Sequence, residues 1–141
     1  MRLGYTLLEL LLVLALLAVG LIVLAPGMRR QQERLMVRSA RESLVGLISR
    51  ARAQAVIHGG ATVTLRAAPA TATLTSGGQV RDSIHLAASR VELALSGNRP
   101  EARLHFNAMG LGELAGQTVR LTLGSAQAGL IVSAYGRIRR W

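Results

Sequence analysis

Gly4-Tyr5-Thr6-Leu7-Leu8-Glu9, followed by an apolar run from Leu10 to Ala25, is the stretch that decides the fold. From Tyr5 to Ala25 the segment is 21 residues long, and as an α-helix it would rise roughly 30 Å, the thickness of a bilayer's hydrocarbon core. The length and composition of this segment predict an N-terminal transmembrane helix over residues 5–26.

Glu9 is the one charged residue inside this apolar segment. A carboxylate within a membrane costs on the order of 2.5–3.5 kcal/mol or more, so it normally has a partner, yet no Arg lies at helical spacing from it. If the chain were cut after Gly4, Tyr5 would carry a new α-amino group. Glu9 could then pair with the amine of a neighbouring copy, and the helix would specify its own assembly.

These residues resemble the N-terminus of type IV pilins and of the pseudopilins of type II secretion, although Tyr5 stands where Phe is usual and the leader, residues 1–4, is short. The resemblance implies that a prepilin peptidase cleaves after Gly4 and N-methylates Tyr5. It also implies that Glu9 pairs with a neighbour's N-terminus during filament assembly. Gly4, Tyr5 and Glu9 are therefore the expected processing and assembly residues.

Two other interpretations of the N-terminus remain open. A secretory signal peptide would need a shorter apolar region and a small-x-small cleavage site, whereas here Ala25 precedes Pro26. An ordinary uncleaved anchor is favoured by the arginines that follow the segment, because positive flanks stay in the cytoplasm. That interpretation places a basic C-terminal domain in the cytoplasm. The arginines concerned are Arg29, Arg30, Arg34, Arg38 and Arg41.

Composition limits the rest of the chain to one small domain. The protein has 141 residues, no cysteine and a formal net charge of +10, from 17 basic residues against 7 acidic ones. The absence of cysteine excludes disulfides and thiolate metal sites. The positive charge favours anionic partners such as nucleic acid or anionic lipid.

Residues 27–58 have the apolar periodicity of an amphipathic helix. We expect one long helix from about Thr6 to Ile57, bent near Pro26 and ended by Gly59-Gly60. Its predicted buried stripe consists of Val37, Ala40, Leu44, Leu47, Ile48, Ala51 and Ala55.

After Gly60 the apolar period changes from about 3.6 to 2, which predicts strands over residues 59–134. The expected fold class is α+β: a long N-terminal transmembrane and amphipathic helix packed on an antiparallel β-sheet. Phe106, Gly110 and Gly136-Arg137 make this region similar to the GspH/FimT branch of the pilin-like family. The predicted strands are 62–66, 71–75, 82–86, 91–95, 103–106, 118–123 and 130–134.

Catalytic, metal and cofactor sites are not expected. Asp82 is the only aspartate, and the three histidines, His58, His85 and His105, are scattered along the chain. Gly110-Leu111-Gly112 lacks the following helix that a phosphate-binding loop needs, so it is predicted to be an ordinary loop.

Residues 135–141 form a basic tail, with Arg137, Arg139, Arg140 and Trp141 as candidate DNA-binding residues. If this tail is mobile and extended, Arg137, Arg139 and Trp141 point to one side and offer guanidinium groups to phosphates and a ring to a base. The Gly-Arg-x-Arg ending resembles the DNA-binding tail of FimT-type minor pilins, which implies Arg137 and Arg139 as the phosphate-binding pair. The alternative is a solubilising end with Trp141 packed on the sheet.

The sequence thus favours a minor pilin or pseudopilin that is not an enzyme. Its expected partners are a prepilin peptidase, other pilin or pseudopilin subunits, the bacterial inner membrane and DNA. We expect the C-terminal domain to be periplasmic, or extracellular once assembled. The favoured role is DNA capture in natural transformation. The alternatives are a type II secretion pseudopilin of the H type, acting in protein export, and an uncleaved, cytoplasm-facing basic module.

Overall fold

The computed structural model describes residues 6–113 and 116–141, with the side chains of all of these except 21–26. The chain divides into two compact units, Met1–Gln32 and Glu33–Trp141. The predicted processing residues, Gly4 and Tyr5, and the leader before them lie outside the described residues.

One α-helix, α1, spans Leu7–His58 and is 52 residues long, which confirms the single long helix predicted from the sequence. Thr6 precedes it, and its hydroxyl oxygen accepts a hydrogen bond from the Glu9 amide at 3.2 Å, the geometry of a helix N-cap. Gly59 follows the helix with φ +79°, a left-handed conformation that glycine adopts without strain and that commonly ends helices.

The first unit contains the apolar beginning of α1. Every large apolar side chain described between Leu7 and Val19 is between 46% and 77% exposed. Among the residues with described side chains, no helical segment meets the length and apolarity of a membrane span. The prediction of a transmembrane helix over 5–26 is therefore wrong on the described residues, where α1 begins as an exposed apolar helix.

The second half of α1 buries the predicted stripe. All seven of its residues are buried, and Val45 joins them. These positions recur at three- and four-residue steps, so they lie on one side of the helix and pack together with residues of the strands in one hydrophobic core.

The β region forms two antiparallel sheets, which corrects the prediction of one. The first has the strand order β3-β2-β1-β5 and the second β4-β6-β7-β8. Among the described residues, β4 pairs with β6, β6 with β7 and β7 with β8, and none of these pairs with a strand of the first sheet. The strands are β1 Gly60–Arg66, β2 Thr71–Ser76, β3 Gln79–His85, β4 Glu92–Leu95, β5 Glu101–Asn107, β6 Gln117–Leu123, β7 Ala126–Val132 and β8 Ile138–Arg140.

Register and burial explain why these segments are strands. In β1, Val63 lies opposite Leu74 of β2 and Leu104 of β5, and all three are buried. Short 3₁₀ turns at Leu86–Ser89 and Ser96–Asn98 flank β4. Residues 86 and 91, predicted as strand, thus lie outside the strands.

Polar contacts attach α1 to the β region within the second unit. The Glu33 carboxylate accepts hydrogen bonds from the amide and hydroxyl of Ser125, at 3.2 and 3.3 Å. Arg50 forms an ion pair with Asp82 of β3 at 2.7 Å, and the Arg52 guanidinium donates to the Gly110 carbonyl at 3.0 Å. The helix is thereby held in register against both sheets.

We expect Leu47→Ala to lower the free energy of unfolding by about 2–5 kcal/mol, because Leu47 is fully buried and its truncation leaves a cavity. Leu35→Ala is the matched control, since Leu35 lies on the same helix and is 55% exposed. Urea unfolding of the full chain, followed by circular dichroism, measures both. Equal losses for the two variants would contradict the assigned packing face.

Candidate nucleic-acid interface

Most of the basic tail forms β8, the edge strand of the second sheet. A tight turn leads from β7 into β8: the Gly136 amide donates to the Ser133 carbonyl and the Ser133 amide to the Arg137 carbonyl, both at 2.9 Å. Gly136 has φ +79°, which the turn requires. The tail therefore returns along β7 as β8, and its alternate side chains are fixed on opposite faces.

The pairing of β8 with β7 decides which side chains share a face. Ile131 lies opposite Arg139, and Leu130 lies opposite Arg140. Because directly opposite residues share a face and Leu130 is buried, Arg139 lies on the solvent side and Arg140 on the side of the core. We call the solvent side the outer face; it carries Glu92, Ala94, Thr118, Arg120, Thr122, Gln127, Gly129, Ile131, Arg139 and Trp141.

Trp141 lies over Gly129 on this outer face. The two residues exchange backbone hydrogen bonds of 3.0 and 3.1 Å, and a Cβ atom at Gly129 would overlap the indole ring. The absence of a side chain at Gly129 thus makes the space in which the ring lies. Trp141 contacts the sheet at Gly129 and is 46% exposed to solvent.

Arg120 of β6 joins Trp141 in the same row across the sheet. It lies opposite Gly129, and its guanidinium carbon is 6.0 Å from the centre of the indole ring, within cation–π range. The Arg41 side chain of α1 donates to the Trp141 carbonyl at 3.2 Å. Arg120 of the sheet therefore lies beside the indole ring, and Arg41 of the helix bonds to the Trp141 backbone.

The four predicted DNA-binding residues do not form one cluster. Arg139 and Trp141 share the outer face, and Arg137 is exposed just before β8 begins. Arg140 instead forms an ion pair of 3.3 Å with Glu42, which also pairs with Arg41 at 3.0 Å. Arg140 is thus engaged with the helix, away from the outer face.

The outer face carries more arginine than acidic side chains, so its charge is largely positive. Among the described residues, none of Arg120, Arg137 and Arg139 has a carboxylate within 4 Å. Glu92, the acid on this face, lies 3.5 Å from the Thr122 hydroxyl. The guanidinium groups there are available to a phosphate.

Elsewhere in the β region the acids are paired. Glu101 accepts from Arg103 at 2.8 Å and from Arg66 at 3.0 Å, and these two hydrogen bonds, that from Arg103 first, hold the pKa of its carboxyl below the ordinary value. His105 lies 3.0 Å from the Thr62 hydroxyl and 3.6 Å from Glu113. Within residues 6–113 and 116–141, no three His, Cys, Asp or Glu side chains are grouped as metal ligands would be.

Glu9 acquires a local explanation that the sequence reasoning missed. Thr6-Leu7-Leu8-Glu9 has the Thr-x-x-Glu spacing of a capping box, and the Glu9 amide bonds to the Thr6 hydroxyl. A carboxylate in the first turn is also stabilised by the helix dipole. The Glu9 amide thus makes the N-cap hydrogen bond, and the helix dipole favours a carboxylate in this turn.

Arg120 and Gly129 were also absent from the candidate residues. The alternation of Thr118, Arg120 and Thr122 does predict a wet face, and a glycine in the middle of an apolar strand signals close approach of another group. Neither signal shows that Trp141 is the group that approaches Gly129. That contact depends on the pairing of β8 with β7, which the spacing of residues within one strand does not determine.

Comparison of the chain with protein-family models, curated proteins and solved structures finds no match to any of them. The resemblance to pilins thus stands on the quoted motifs alone.

We expect Gly129→Ala to displace Trp141 from the sheet, because the added methyl would overlap the ring and lie 2.8 Å from the Val119 carbonyl oxygen. Trp141 is the one tryptophan in the chain, so its emission reports this change directly. The variant should emit at longer wavelength and be quenched more by acrylamide. Gln127→Ala, an exposed position two residues away, should leave both unchanged; an unaltered spectrum in Gly129→Ala would contradict the assigned ring position.

Proposed function

We propose that this protein is a pilin-like minor subunit of a type IV pilus-type filament and that it captures DNA at β8. The observation that carries the DNA role is the pair Arg137 and Arg139, two exposed arginines that have no carboxylate within 4 Å among residues 6–113 and 116–141. Arg139 lies on the outer face, two residues from Trp141. Guanidinium forks bind phosphate oxygens in bidentate geometry. The net charge of +10 adds long-range attraction for a polyanion.

Assembly in this proposal uses the exposed apolar beginning of α1. Large exposed apolar surfaces mark sites of association, and every large apolar side chain described from Leu7 to Val19 is exposed. We propose that this segment packs against the same segment of neighbouring subunits after cleavage behind Gly4. In the filament the β region would lie outside the cytoplasm, where DNA can reach it.

A secretion pseudopilin would share the assembly helix without the affinity for DNA. The two roles differ in one measurable property, the binding of nucleic acid by β8. Absence of that binding in a chain that still enters filaments would favour protein export.

We expect Arg137→Gln with Arg139→Gln to weaken duplex DNA binding and to flatten the slope of log K against log salt concentration by about 2, near 0.9 per lost phosphate contact. Fluorescence anisotropy with a labelled duplex at several salt concentrations measures the slope. Arg81→Gln with Arg90→Gln is the matched control, because both are exposed arginines outside β8 and the charge change is the same. Equal slopes for the two double variants would remove the DNA role from β8.

Glu9 allows a second test, which separates capping from pairing with a neighbour. Glu9→Gln removes the charge and keeps the backbone amide that donates to Thr6, whereas Thr6→Ala removes the capping hydroxyl and keeps the charge. In cells that make the prepilin peptidase, we expect Glu9→Gln to enter filaments poorly, and Thr6→Ala to enter them but to fray the start of α1, as measured by amide hydrogen exchange. Normal incorporation of Glu9→Gln would contradict pairing of Glu9 with a neighbouring subunit.

A further inference from the structure

The outer face around Trp141 has the features of a stacking platform. The ring lies over Gly129, the guanidinium carbon of Arg120 is 6.0 Å from the ring centre, and Trp141 as a whole is 46% exposed. Aromatic rings on open sheet surfaces stack nucleobases, and this is sequence-tolerant because every base presents a π-face. A purely structural role, in which Trp141 only packs on Gly129, would explain the position of the ring. That role does not require positive charge around the ring.

Positive charge does surround the ring on two sides. Arg139 is two residues away along β8, about 7 Å by strand geometry, and the guanidinium carbon of Arg120, two strands away in the same row, lies 6.0 Å from the ring centre. Neither has a carboxylate within 4 Å among the described residues. A base on the ring would therefore have its flanking phosphates within reach of both guanidinium groups.

We infer that the outer face binds single-stranded nucleic acid, with a base stacked on Trp141 and phosphates held by Arg120 and Arg139. This inference rests on the proposed DNA capture at β8 and names the form of the ligand. In a duplex the bases are stacked on one another inside the helix, so a ring lying on a sheet surface cannot reach their faces. A single strand exposes its bases and satisfies the ring and the arginines together.

Hydrogen-bonding side chains complete the platform. Thr118, Thr122 and Gln127 line the same face around the row of Arg120 and Trp141. Their hydroxyl and amide groups both donate and accept, which suits base edges of any identity. The platform thus favours single strands without specifying a sequence.

Emission from Trp141 provides the test in the unmodified full chain, since it is the one tryptophan. We would titrate the protein with a short oligothymidylate, with an abasic oligonucleotide of the same length, and with a duplex. Stacking predicts quenching by oligothymidylate, and binding of the abasic strand that is about 5- to 150-fold weaker and without quenching. Equal affinity for the two single strands, or binding of oligothymidylate without quenching, would overturn the inference.

Variants assign the contributions, with a labelled strand followed by anisotropy. Trp141→Leu should weaken single-strand binding by a similar factor and leave duplex affinity unchanged, while Trp141→Phe, which keeps an aromatic ring, should restore most of it. Arg120→Gln should flatten the single-strand salt slope by about 0.7. An unchanged slope would remove Arg120 from the site.

The outcomes separate this inference from the proposal on which it rests. If neither duplex nor single strand binds, both fail. If the duplex binds through Arg137 and Arg139 while oligothymidylate neither quenches nor binds more tightly than the abasic strand, the single-strand inference alone fails.

Discussion

The backbone pairing of Gly129 with Trp141 is the constraint on which the candidate site depends. Two hydrogen bonds, of 3.0 and 3.1 Å, join these residues and extend β8 along the edge of the second sheet. Once β8 is paired, the two-residue period of a strand places Arg139 and Trp141 outward and Arg140 inward. If β8 slipped by one residue against β7, all three side chains would change faces. Arg140 would then lie opposite Gly129, the position that Trp141 occupies.

The helix supports the same register from the other side of the strand. Glu42 of α1 pairs with the inward Arg140 at 3.3 Å, and Arg41 donates to the Trp141 carbonyl at 3.2 Å. Both contacts are partly exposed, so each contributes modestly to stability. These contacts favour the observed register over the slipped one, because Arg140 can pair with Glu42 only when its side chain lies on the inner face. One residue of the basic motif thus holds the strand, which leaves Arg137 and Arg139 for a ligand.

The spacing of apolar residues along the chain correctly predicted features that depend on a single helix or strand. The buried stripe of α1 and the wet face of β6 follow from the spacing of apolar residues, and both agree with the structure. The division into two sheets, the pairing of β8 and the position of Arg120 beside Trp141 depend on contacts between distant segments, which spacing does not encode. For the N-terminus, length and composition predicted a transmembrane helix that the described residues contradict, and the Glu9 amide makes the N-cap hydrogen bond to Thr6.

The most direct measurement is the NMR environment of Gly129 in the full chain. We expect the Gly129 Hα protons to be shifted upfield by the indole ring and to give nuclear Overhauser contacts to it. We also expect slow hydrogen exchange at the Gly129 and Trp141 amides. Random-coil shifts at Gly129 together with rapid exchange at the Trp141 amide would contradict these expectations, because β8 would then be unpaired and the outer face would not exist as described.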